Sequence, residues 1–427
     1  MAARMARLFQ LKKPVQRRTL DVALNRLTTA PVVALAGPRA SGKSTVLAAM
    51  ATALGVEVLD LDDPAVLRAV VADPMRFLDS DKPVLVDEYA RAPEALEVMK
   101  RLLNRDSRAG RFVLAGSTRY GSVPAIAQSL TGRVDVVPLW PLSQGELVGA
   151  KEIFVERLVS GRAPSLDDVE EDRESYVERV VNGGMPMALR LPNAAARARW
   201  FDQYVQLTLE KDVAEITKVR RRVVLPRLAT AVAARTGQLL KATDLGKGVD
   251  ADRNTIEDYL RLLEAVFMFH VLPAWGTTLL ARVAATPKVH FIDSGIASRL
   301  LRVTPEKLLA AKASAQQQFG HLLETFVVGE LLKQTHWLDA PVDVGHWRTH
   351  DGAEVDLVLE RVDGSVVAIE VKASPDVRAD DLKGIHALSR KLGDDQVTGV
   401  VLHTGRSGWR IGKNVLAVPI GRIWQSD

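Results

Sequence analysis

Gly37-Pro38-Arg39-Ala40-Ser41-Gly42-Lys43-Ser44 decides how this chain is read. The apolar run Val32-Val33-Ala34-Leu35-Ala36 precedes it, and the helix-like Thr45-Val46-Leu47-Ala48-Ala49-Met50 follows. A strand, a glycine-rich loop and a helix in that order make a phosphate-binding P-loop. Gly37 and Gly42 let the backbone curl, so that the loop from Pro38 through Thr45 can surround a polyphosphate with the N–H groups that follow Pro38. The helix opening near Lys43 turns the positive end of its dipole toward the same charge. Lys43 is expected to reach the β- and γ-phosphates and the Ser44 hydroxyl to ligate Mg²⁺. The expected ligand is a nucleoside triphosphate, ATP with Mg²⁺.

Outward from this loop, short β-branched runs alternate with helical patterns between Pro31 and about Pro138. Val56-Glu57-Val58-Leu59, Val84-Leu85-Val86, Phe112-Val113-Leu114-Ala115 and Val134 to Val137 read as strands. That rhythm predicts a parallel sheet flanked by helices, the α/β class, with its site at the carboxyl ends of the strands. Asp87 and Glu88 fall at such an end. Asp87 suits Mg²⁺, and Glu88 suits polarising the attacking water. After the next strand, Ser117 is placed to sense the γ-phosphate. Arg133, closing Ser129-Leu130-Thr131-Gly132-Arg133, is a candidate arginine finger offered to a neighbouring subunit.

The 427-residue chain exceeds what one core usually supports. Its 47% hydrophobic and 26% charged residues describe an ordinary globular protein. With no cysteine, disulfides, thiolate metal sites and cysteine nucleophiles are excluded. The N-terminal stretch carries Arg4, Arg7, Lys12, Lys13, Arg17 and Arg18 without an apolar core, unlike a secretory signal. The charge-free stretch from Ala265 to Leu280, which only Ala281 extends, is too short to span a bilayer and holds Pro273 and Gly276. No membrane partner and a cytoplasmic location are therefore expected. A net charge of +5 and a pI near 9.3 suit phosphate-bearing partners, and Lys218, Arg220, Arg221 and Arg222 form a basic cluster.

Four domains are expected: an ATPase domain over 1–150, a helical region over 151–224, a winged-helix-like module over 225–280 and an α/β domain over 281–427. In the third, Thr243-Asp244-Leu245, a turn around Gly248, and the helix opening at Arg253-Asn254-Thr255-Ile256 resemble a helix-turn-helix unit. Its second helix mixes Glu257, Asp258 and Glu264 with Arg253 and Arg261, poor chemistry for reading base edges.

The last region holds a second constellation. Ala353 to Leu359 and Ser365 to Lys372 read as a hairpin joined by Val362-Asp363-Gly364. A three-residue loop with Gly in the left-handed position sets Asp356 opposite Glu370, whereas a two-residue Asp-Gly turn sets it opposite Val371. In the first register Asp356 and Glu370 can share Mg²⁺ or Mn²⁺, with Lys372 beside them and Glu324 completing the cluster from a helix. Such a set suits metal-assisted phosphodiester hydrolysis.

With these residues in hand, the chain resembles a prokaryotic family of AAA-type P-loop ATPases whose C-terminal domain is related to the PD-(D/E)XK nucleases. The resemblance runs nearly end to end. It is carried by Gly37 to Thr45, Val86-Asp87-Glu88, Ala115-Gly116-Ser117, Ser129 to Arg133, and Pro141-Leu142-Ser143 with Glu146. Gly183-Gly184-Met185-Pro186, Phe291-Ile292-Asp293-Ser294-Gly295, Gly320, Glu324, Trp347-Arg348, Glu354-Val355-Asp356 and Ile369-Glu370-Val371-Lys372 complete it. Tyr89-Ala90 departs from the Ile-Gln pair that relatives tend to have there. The resemblance implies an ATPase that assembles, as a ring such as a hexamer, with Arg133 as its finger. Two functions follow as expectations. The leading one is an ATP-hydrolysing, DNA-associated oligomeric enzyme that couples nucleotide turnover to DNA remodelling or translocation, with metal-dependent nuclease activity as an additional expectation. The other is an ATP-controlled assembly switch whose nuclease-like domain is a docking platform.

Overall fold

The computed structural model describes residues 15–117, 130–216, 223–246, 249 and 251–425. Arg4, Arg7, Lys12, Lys13, Thr118, Arg119, Ser129, Gly248 and the basic cluster at 218–222 lie outside the described residues.

The first unit is a parallel sheet. Helix α1 (Arg18–Leu27) leads into β1 (Val32–Ala36), and α2 (Lys43–Leu54) follows the glycine-rich loop. Next come β2 (Val58–Asp60), β3 (Val84–Asp87), α3 (Pro93–Arg105), β4 (Phe112–Gly116), β5 (Val134–Pro138) and α4 (Gln144–Val148). The strand order is β2-β3-β4-β1-β5, every pairing parallel. The all-apolar runs of β1 and β4 are buried throughout, as central strands covered on both faces must be. Val33, Leu35 and Val113 pack against α1 and α2, while Val84, Val86 and Leu114 pack against α3. The edge strand begins two residues later than the sequence suggests, at Val58.

A helical stretch follows, including α5 (Arg173–Asn182) and α6 (Ala194–Leu207), the latter continuing as a π-helical turn at Thr208–Asp212. Beyond it lie α7 (Val224–Ala233), β6 (Gln238–Leu239), α8 (Ala242–Gly246), α9 (Arg253–Ala265), β7 (Phe269–Leu272) and β8 (Lys288–Phe291). These strands form an antiparallel sheet of order β6-β8-β7. Its central strand therefore lies past the boundary expected at 280. The hydrophobic pattern gave no sign of this, because 273–287 interrupts it.

The last region holds α10 (Ser294–Leu300), the long α11 (Ala313–Thr335), β9 (Asp343–Arg348), β10 (Glu354–Glu360), β11 (Val366–Lys372), α12 (Lys383–Leu392), β12 (Val397–His403), β13 (Trp409–Ile411) and β14 (Val415–Pro419). Its mixed sheet runs β13-β14-β12-β11-β10-β9. Leu357, Leu359 and Ile369 face the α11 side, and Val358, Val366 and Ala368 face Ile385 and Leu388 of α12. One continuous core joins residues 140 to 424, so the three regions after the ATPase sheet share an interior.

Candidate nucleotide site and the C-terminal acidic centre

The glycine-rich loop has the backbone its residue types allow. Gly42 takes φ 101° and Ala40 φ 60°, both left-handed. A Cβ at Gly37 would stand 2.1 Å from the Leu139 carbonyl oxygen, so only glycine fits there. Lys43 lies across the loop, donating to the carbonyls of Gly37 and Pro38 at 2.9 Å each. Ser44 and Thr45 are exposed on the first turn of α2, while the buried Ser41 hydroxyl has no hydrogen-bond partner among the described residues.

The sheet brings the acids to the loop. Asp87 pairs in register with Ala115, which pairs with Leu35, so β3, β4 and β1 end together. Ser117 is buried just past the end of β4, the strand that lies between β1 and β3. Glu88 adopts a left-handed backbone at φ 49°, and its N–H donates to Asp87 Oδ1 at 3.0 Å. Burial pushes the Lys43 ammonium down to about 8, with Glu88 and Asp87 pulling the other way. Burial raises the Glu88 carboxyl above its ordinary value, opposed by Lys43. Two exposed hydroxyls, an ammonium and two carboxylates at one mouth fit a magnesium-bound triphosphate. Ser44 and Asp87 would hold the ion, which supplies charge neutralisation on the phosphates.

Partners from distant elements meet the loop. Buried Arg17 donates Nη1 to Ser41 O at 2.6 Å, Nη2 to Trp140 O at 2.7 Å and Nε to Glu146 Oε1 at 3.0 Å. Arg39 forms a two-pronged pair with Asp212 of the π-helical turn, Nη2 lying 2.7 Å from Oδ1. A single sequence carries no signal for either contact, since the partners lie on separate elements.

Arg133 sits at the opposite end of the sheet. Its carbonyl accepts from Val32 N, at the start of β1, and Val32 to Ala36 spans about 13 Å of strand rise before the loop begins. Its Nη2 donates to Asn104 Oδ1 at 2.6 Å.

The C-terminal hairpin takes the three-residue loop. Arg361 N–H donates to Ser365 O at 2.8 Å, Gly364 adopts φ 83°, and Leu357 pairs with Ile369, so Asp356 lies opposite Glu370. Glu370 and Lys372 pair with each other at 3.1 Å, and Asp356 Oδ2 accepts from Val371 N at 3.0 Å. Glu324 of α11 joins Asp356 as expected, but through Lys288 of β8. The Lys288 Nζ lies 2.8 Å from Glu324 Oε1 and 2.8 Å from Asp356 Oδ1, and it also pairs with Glu354. Burial works against that ammonium, yet Asp356, Glu324 and Glu354 hold its pKa well above the ordinary value. Burial and Asp356 push Glu324 up to about 8. Burial opposes the Asp356 charge, but Lys288 holds its pKa down to about 2.

The expected C-terminal Mg²⁺ or Mn²⁺ site therefore does not fit. Among the described residues no group of three His, Asp or Glu converges as a metal site. The expectation missed Lys288 because it lies 68 residues before Asp356 on another sheet. The surrounding cavity, about 1060 Å³, is lined by eight Asp and Glu against six Lys and Arg. On α9, Arg253 pairs with Glu257 and Arg261 with Asp258.

Comparison with known proteins agrees with the first unit. A family described as an AAA domain matches residues 29–148, and two domains of unknown function, DUF8612 and DUF4143, match 173–307 and 319–423. Uncharacterised proteins of Mycobacterium bovis and Mycobacterium tuberculosis are each 27% identical over 415 residues, covering 96% of this chain and 85% of theirs. Among solved structures, a Walker-type ATPase of Pyrococcus abyssi is 14% identical with a TM-score of 0.40, covering 69% of this chain and 99% of its own. A point mutant of RuvB from Thermotoga maritima is 16% identical with a TM-score of 0.29, covering 60% of this chain and 89% of its own. The N-terminal region has a parallel-sheet P-loop ATPase fold with an AAA domain, within a mixed α/β chain. No described helix is long and apolar enough to cross a membrane.

Proposed function

We propose that this protein is an ATP-hydrolysing switch whose nucleotide state governs self-assembly and partner docking. The observation that carries the reading is the convergence of Lys43, Ser44, Asp87 and Glu88 at the ends of β1 and β3. Backbone N–H groups and Lys43 hold the phosphates, Glu88 takes a proton from the attacking water, and Ser117 senses the terminal phosphate. Arg133 acts on a neighbour's nucleotide in a ring. Its place at the far end of β5, away from its own loop, favours donation in trans.

The C-terminal region, with the nuclease-like hairpin, serves as the docking platform. Its charge-compensated acids and mixed-charge cavity suit a protein partner better than a polyanion. A second reading, a DNA-associated enzyme with nuclease activity, draws on the winged-helix-like order of α7, β6, α8, α9, β7 and β8.

Phosphate release with and without duplex DNA decides between them. Turnover indifferent to DNA, and abolished in Lys43→Ala, is expected. Several-fold stimulation by DNA would transfer the case to the second reading, and turnover surviving in Lys43→Ala would overturn both.

A further inference from the structure

The acids of the C-terminal centre come from two elements, Glu324 from α11 and Glu354 and Asp356 from β10. Their common contact is one ammonium group from a third element, β8, which belongs to a different sheet. An ammonium has three N–H donors, and here it donates to Glu324 and Asp356 and also pairs with Glu354. The Lys288 side chain is 1% exposed, and its backbone sits on the central strand, paired with Leu239 of β6 and Leu272 of β7.

A hard divalent cation binding these same oxygens needs them within roughly 2.0–2.6 Å. Such an ion would crowd the ammonium that already lies 2.8 Å from two of them, at full like-charge repulsion. Lys372 also favours the charged form of Asp356 from a distance, but its direct partner is Glu370 at 3.1 Å, with Asp381 at 3.9 Å.

We infer that Lys288 is the resident cation of this centre, holding the position a divalent metal would take and closing the nuclease-like domain to metal. The same contact fastens the β6-β8-β7 sheet to the C-terminal sheet, so the centre is a structural joint between two regions. This inference deepens the platform part of the function proposed above and rests on it.

The test counts Mn²⁺ bound to the full-length, nucleotide-free protein by electron paramagnetic resonance. Wild type and Asp356→Asn should bind equal numbers of ions. Lys288→Ala should bind one more than wild type, and Lys288→Ala/Asp356→Asn should lose that ion again. Asp356→Asn or Glu324→Gln binding one fewer ion than wild type overturns the inference, as does a folded Lys288→Ala that gains none. Should Lys288→Ala fail to fold, the wild-type comparison with Asp356→Asn and Glu324→Gln decides alone, and refolding of Lys288→Ala by Mn²⁺ counts in support. ATP turnover is read separately: its absence would sink the switch reading while leaving the ion counts as they are.

Discussion

Arg17 and Glu146, 129 residues apart in sequence, meet as a buried ion pair with Nε 3.0 Å from Oε1. The same guanidinium holds Ser41 O of the glycine-rich loop and Trp140 O, while Glu146 Oε2 accepts from Ser143 N in a capping box on α4. The loop is thereby braced from behind by the segment that leaves the sheet. That segment in turn reaches α11, since Gln144 N donates to Glu330 Oε2 at 2.8 Å and Lys333 Nζ to Leu142 O at 3.1 Å.

Removing one partner of a buried pair strands the other charge, at a cost of about 3–5 kcal/mol. Arg17→Met is therefore expected to lower the urea midpoint markedly and to weaken nucleotide binding. Arg17→Met/Glu146→Leu should recover only part of the stability, since Ser143 N, Arg18 N and the Ser41 and Trp140 carbonyls lose their partners, and should not recover nucleotide affinity. A single variant as stable as wild type would show that the brace contributes nothing.

Lys43 sets a pH dependence. Its folded pKa is lowered to about 8, so the free protein loses this positive charge as pH rises through that value. A bound triphosphate favours the charged form, so binding above pH 8 takes up a proton. ATP affinity should fall by up to about tenfold per pH unit above 8 and stay level below it. The measurement is a calorimetric titration in buffers of differing ionisation heat, and an affinity flat from pH 7 to 9.5 would contradict the assignment.

Arg39 shares its charge with the buried Asp212. Asp212→Asn removes the anion that holds this guanidinium and leaves more positive charge at the loop's mouth. Fluorescent nucleotide should bind several-fold more tightly to this variant. Weaker binding would mean that the pair supports the loop's shape rather than competing with phosphate.

Arg133→Ala should leave nucleotide affinity within about twofold and reduce kcat by about 10³-fold, the lower range for an arginine finger. Mixing Arg133→Ala with Lys43→Ala should restore part of the turnover, because each assembly then contains interfaces with one intact loop and one intact finger. Two inactive variants that remain inactive when mixed would rule out donation between subunits.

The amino-acid sequence by itself determined the P-loop, the parallel sheet and the acids at the end of β3. Each of these depends on neighbours within a few residues, on short unbroken apolar runs and on glycine's backbone freedom at Gly37 and Gly42. It narrowed the C-terminal hairpin to two registers, and the folded chain takes the one in which Gly364 closes a three-residue loop. Gly183-Gly184-Met185-Pro186 and Phe291 to Gly295 were visible as motifs without a purpose. Their meeting is tertiary: Gly184 N donates to Asp293 Oδ2 at 2.6 Å, and Leu142 N donates to Gly184 O at 2.8 Å. The chemistry of the acidic centre was also decided only in three dimensions. Carboxylates near one another suit a metal or an ammonium equally well, and folding delivers Lys288 from a separate sheet to claim them. Charge compensation in a buried site acts through space at a few ångströms, and separation along the chain carries no record of it.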